Sequence, residues 1–212
     1  MKLRTILIMA FITSCSYYSV TLSQENNPGY SSIMEVTDSS SAKQAVIHEQ
    51  IEAGMLLLRT PYELDDDSQG QMKAVLRYYF WLEDAMFNKN ANDIALAAGL
   101  MKCKTKNVSD KNIWGKGYTA WDNHKAALLK NLNLIIEEKP IAEKQAHFNK
   151  ISETIYCMIK NFNIIDNRAY AAFCPIALKN KGAIWVGDGR VLRNPYLGNK
   201  MPDCGEIIEL FK

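Results

Sequence analysis

Two cysteines and a methionine near the C-terminal end, Cys174, Met201 and Cys204, are the side chains of this chain best suited to chemistry. Thiolates and thioethers are soft donors that select monovalent copper or silver when a fold gathers two to four of them. Met201 and Cys204 are three residues apart with Pro202 between them, a loop spacing that lets both turn toward one point. The same cysteines admit a different chemistry. A Cys174 to Cys204 disulfide closes a loop of about 30 residues and stabilises by roughly 3–4 kcal/mol on the chain-entropy model. Metal binding needs the reduced thiols, so the two chemistries can alternate but not coexist.

The compartment bears on which applies, and the N-terminus addresses it. Lys2 and Arg4 precede an apolar run from Ile6 to Ile12, then Thr13-Ser14-Cys15. That reads as a bacterial export signal over residues 1–14, with small residues before a cysteine as at a lipoprotein cleavage site. Cys15 is then the lipidated first mature residue, and the chain sits in the cell envelope on the periplasmic side, anchored to a membrane, where disulfides persist. Two of the 25 basic residues and none of the 23 acidic ones lie in residues 1–14, so residues 15–212 carry no net formal charge. No basic face for nucleic acid is expected.

Residues 15–41 are serine-rich and read as a flexible tether. Residues 42–60 carry Ile47, Ile51, Met55 and Leu58 at helical spacing, an N-terminal helix that Pro61 stops. Residues 62–212 form one domain. Asp65-Asp66-Asp67-Ser68 lacks the spacing of a calcium loop and reads as a helix N-cap. Behind it Met72, Val75, Tyr79, Leu82 and Met86 make a seam. A second helix from Ala91 to Lys104 turns Ile94, Ala97, Ala98 and Met101 inward. A polar loop with Trp114 leads to a third helix, Tyr118 to Glu138, with Trp121, Leu128, Leu132 and Ile135. Pro140 opens the last, where Phe148, Ile151, Ile155, Met158 and Phe162 repeat and Ser152 and Glu153 face away.

Beyond Asn167 glycines and prolines forbid long helices. Ala183 to Val186 and Arg190 to Arg193 flank Gly187-Asp188-Gly189 and predict a β-hairpin. The fold class is therefore all-α, an antiparallel bundle of four core helices plus an N-terminal helix, with a C-terminal hairpin and loop segment holding the sulfurs.

Cys174-Pro175, Gly182-Ala183, Trp185, Arg193-Asn194-Pro195-Tyr196, Gly198, Met201 and Cys204-Gly205 form an ordered end signature, and Trp121 with Glu143 to Phe148 adds a helical part from about Gln71. In these residues the chain resembles a bacterial family of helical periplasmic domains of unknown function, found alone or fused to adaptor subunits of copper or silver efflux pumps. Phe173 and Ile176 stand where that family has histidine or tyrosine and methionine. The resemblance implies a soft-metal site, Cu(I) or a similar ion, on Cys174, Met201 and Cys204 with His147 as a fourth ligand, and an efflux adaptor or another envelope protein as partner. The alternative is a structural or interaction lipoprotein in which the two cysteines form a staple.

The remaining candidates read as structural. Cys103 and Cys157 lie on helices beside the seams as small core residues, a second disulfide being the alternative. His124, three residues past Trp121 on one face, reads as a core-edge histidine. Trp185 and Tyr196 should cover the hairpin against the bundle. No βαβ pattern, nucleophile elbow, phosphate loop or paired carboxylate is present, so no catalysis is expected.

Overall fold

The computed structural model describes residues 54–137, 139–189 and 191–212. The export segment, Cys15, the tether and residues 42–53 of the expected N-terminal helix lie outside the described residues. No described helix is long and apolar enough to cross a membrane.

Four helices form the bundle: α1 (Asp66–Asn88), α2 (Ala91–Asn107), α3 (Gly115–Ile136) and α4 (Ile141–Phe162). Their seams are the expected ones. Met72, Val75, Tyr79, Leu82 and Met86 of α1 are fully buried, as are Ile94 and Met101 of α2, Trp121, Leu128, Leu132 and Ile135 of α3, and Phe148, Ile151, Ile155 and Met158 of α4. Each such large side chain contributes about 1.5–3 kcal/mol of burial. The ends are capped as the sequence suggests. Asp65 accepts the Ser68 amide at 2.8 Å, and Asn90 accepts the amides of Asn92 and Asp93. Buried Lys144 donates to the Ile135 and Glu137 carbonyls, closing the C-terminal end of α3.

Residues 55–58, expected as the last turn of the N-terminal helix, are not helical. The side chain of Asn161 on α4 accepts the Leu58 amide at 2.8 Å and donates to the Leu56 carbonyl at 2.7 Å. Tyr62 then donates its amide to the Asn161 carbonyl, and its ring lies so close to Gly117 that a Cβ there would stand 2.5 Å away. The segment is a strap across α3 and α4, its backbone satisfied by the helix it crosses instead of by its own turns.

The C-terminal region is a three-stranded antiparallel sheet in the order β2-β1-β3, made of β1 (Ala169–Cys174), β2 (Ala183–Gly187) and β3 (Glu206–Phe211). The expected hairpin is not formed: β2 pairs with β1, and residues 191–193 are not a strand. Tyr170 decides this, since its hydroxyl donates to the Val191 carbonyl at 2.8 Å and accepts the Arg193 amide at 3.3 Å, folding that segment over β1. The outer side of β2 meets helices instead of another strand. Asn149 Oδ1 accepts the Ile184 amide, the Tyr79 hydroxyl accepts the Val186 amide, and the Tyr196 hydroxyl donates to the Ile184 carbonyl. Side chains therefore satisfy a sheet edge that would otherwise invite another strand.

That packing also corrects the outward face assigned to Ser152 and Glu153, both of which are fully buried. Ser152 pairs with the Tyr79 hydroxyl at 2.9 Å, and Glu153 accepts from Asn149 and Lys150. A sheet laid on α4 leaves that helix little solvent face.

Candidate functional site: the Cys174–Cys204 pair

Cys174 ends β1 and is fully buried, whereas Cys204 is half-buried in the loop before β3. The antiparallel register sets Phe173 opposite Glu206, which carries Cys204 past the end of the ladder and beside Cys174. Their sulfurs are 3.2 Å apart, and both cysteines are free thiols. The contact with Cys174, then burial, pushes the Cys204 thiol up to about 11. Gly205 makes the approach sterically feasible. It sits at φ +139, and a Cβ there would stand 2.7 Å from the Trp185 ring and 3.1 Å from the Phe173 carbonyl oxygen.

Met201 follows the short 3-10 turn Gly198–Lys200, and its carbonyl accepts the Cys204 amide at 3.3 Å. Its side chain is 45% exposed, so the thioether lies on the solvent side of the loop. His147 is not part of the cluster. It is half-buried on α4 with Nδ1 3.1 Å from Asn131 Oδ1, and burial followed by Lys139 lowers its pKa. Among the described residues no three His, Cys, Asp or Glu side chains stand close enough to share an ion. Cys174 and Cys204 are thus the two soft donors that the fold brings into contact, with Met201 on the solvent side of the same loop.

The bundle's other candidates are structural. Cys157 is fully buried on α4, and burial, with Glu153 second, pushes its thiol up to about 12. Cys103 is half-buried on α2 and disulfide-bonded, the alternative to the core place expected of it. His124 is sealed inside, with Nε2 2.7 Å from Asn161 Nδ2, and burial lowers its pKa to about 4. Trp185 and Tyr196 pack edge to face at 6.1 Å, with Tyr196 also against Phe148, covering the sheet against α4.

Residues 75–167 match the family described as Protein of unknown function (DUF3347). The DUF3347 match runs from within α1 to just past the end of α4 and stops before β1 and Cys174. It therefore covers the helical part of the resemblance and not the C-terminal signature that holds the sulfurs. No curated protein and no solved structure matches the chain.

One residue of the site escaped the sequence reading as a functional candidate. Asn194 is fully buried, and its Nδ2 donates to the Cys204 carbonyl at 2.6 Å. The signal was its place before Pro195, since asparagine in a turn commonly bonds backbone two and three residues on.

Proposed function

We propose that the protein is a cell-envelope lipoprotein, anchored through Cys15, that binds one soft monovalent ion of the copper kind in metal handling or efflux. The observation that supports it most is the 3.2 Å approach of Cys174 and Cys204 at a half-open position of the fold. Two thiolates are the donors that soft ions prefer, and Met201 supplies a thioether from the same loop. Two bonds of about 2.3 Å to one ion can place sulfurs up to about 4.6 Å apart, so a small outward turn of Cys204 suffices. The role is binding, not catalysis, with a metal-efflux adaptor or another envelope protein as the receiving partner.

Titration of the reduced protein with Cu(I), in competition with a chromophoric chelator, tests this reading. Wild type should bind one equivalent that the Cys174→Ser, Cys204→Ser double variant does not. Equal affinities would refute it.

A second reading is favoured by the same distance. Free thiols already in contact need only a rotamer adjustment to reach a disulfide, and a staple across 30 residues would stabilise by roughly 3–4 kcal/mol. The mass added by alkylation, with and without prior reductant, reads whether the staple forms in the protein isolated from the envelope.

A further inference from the structure

We infer that Asn194 is the positioning residue of the thiol pair, its side-chain amide holding Cys204 against Cys174 and thereby setting their thiol–disulfide equilibrium. This rests on the reading of the pair as the working site. Five hydrogen bonds converge on this one buried residue. Its amide donates to the Pro202 carbonyl at 2.7 Å and its carbonyl accepts the Gly198 amide at 2.9 Å. Its Oδ1 accepts the amides of Tyr196 at 2.9 Å and Leu197 at 3.0 Å, while Nδ2 donates to the Cys204 carbonyl at 2.6 Å.

The division of labour within the side chain is what carries the inference. Oδ1 shapes the turn that follows Asn194, a local task that many loops assign to asparagine. Nδ2 reaches ten residues along the chain to Cys204, a contact that no local turn requires. The loop between them holds Met201 and Pro202, and its other ties include backbone bonds between near neighbours, the Asn194 to Pro202 bond and the Gln145 side chain on the Tyr196 carbonyl. Cys204 is thus fixed from both sides, by Gly205 against Trp185 and by Asn194. Holding one thiol near another raises its effective concentration and favours the disulfide over two separate thiols.

The oxidation is an exchange with a low-molecular-weight disulfide such as glutathione disulfide. One protein thiolate attacks a glutathione sulfur, a mixed disulfide forms and one glutathione thiol leaves. The second cysteine then displaces the bound glutathione. In balance the two protein thiols lose two electrons and two protons, and the added disulfide becomes two thiols.

Asn194→Asp separates the two tasks, because a carboxylate keeps the acceptors for Tyr196 and Leu197 and loses the donor to Cys204. Full-length wild type, Asn194→Asp and Asn194→Ser are equilibrated across glutathione redox buffers, and the oxidised fraction is read by alkylation and mass. Both variants should disfavour the disulfide by about tenfold, about 30 mV toward a more oxidising potential. Cys157, buried on α4, reports folding by remaining unalkylated. A folded variant with the wild-type potential overturns the inference while leaving the pair's role intact. A wild type that neither oxidises nor binds Cu(I) overturns the reading of the site itself. An independent reading comes from NMR of wild type: the Asn194 side-chain amide signals should differ between dithiol and disulfide forms, and identical signals overturn the inference without any variant.

Discussion

His124 Nε2 faces Asn161 Nδ2 at 2.7 Å inside the bundle, and the strap determines which of the two atoms donates. Asn161 Oδ1 must accept the Leu58 amide, so its NH2 group is left for the Leu56 carbonyl and for His124. His124 Nε2 is therefore the acceptor and the ring is neutral, with its proton on Nδ1.

A pH dependence follows from that neutrality. The unfolded chain takes up a proton on His124 near its ordinary value of 6.5, whereas the folded chain resists until about 4. Between those limits the unfolded state binds more protons, so stability is lost as pH falls from about 6.5 to about 4, by about 3 kcal/mol in all, and is flat above. Urea melts at intervals of pH should show this slope in wild type and its flattening in His124→Gln. An unchanged slope in the variant would assign the effect elsewhere.

Asn161→Ala should free the strap. It removes the acceptor for Leu58 and the donor to Leu56, at a cost of about 1–3 kcal/mol. Limited proteolysis should then cut between residues 54 and 64 faster than in wild type, while cleavage within the helices should not accelerate.

Gly205→Ala should strike both packing and the pair. The added Cβ meets the Trp185 ring at 2.7 Å in a backbone conformation, φ +139, that side chains rarely adopt. Strain of about 1–3 kcal/mol is expected. Thermal denaturation should show the loss, and the yield of the Cys174–Cys204 disulfide should fall with it.

Lys179→Gly should act in the opposite direction. Leu178, Lys179 and Asn180 link β1 to β2 with φ of 52, 60 and 64, a left-handed run that suits glycine. Lys179 is exposed, so the substitution removes little packing. A gain of up to about 1 kcal/mol is expected from the relieved backbone, read as a higher urea midpoint. A lower midpoint would show that unfolded-chain entropy outweighs the strain.

The helices were legible because each seam repeats at three and four residues, and a local period of that kind needs no knowledge of partners. Tyr79 to Met86 and Phe148 to Phe162 declare one buried face each, and Asp65 and Asn90 announce their caps. The strands were not legible in the same way. β1, Ala169 to Cys174, is buried on both faces and so shows no alternation, and a bulge between Ala171 and Ala172 breaks its register with β3. Arg190 to Arg193 reads as a strand by composition, but Tyr170 claims the neighbouring backbone of Val191 and Arg193.

By itself the sequence determined the four amphipathic helices, their order and the caps of the first two, because composition and spacing along one chain encode them. Only the tertiary structure decided which of the candidate side chains meet. Cys174 and Cys204 stand 3.2 Å apart because β3 returns antiparallel to β1 and Asn194 holds the loop between them, whereas His147 turns to Asn131 on α3. Long-range pairing of that kind depends on sheet register and on buried side-chain hydrogen bonds. Neither has a period that a single strand of text displays.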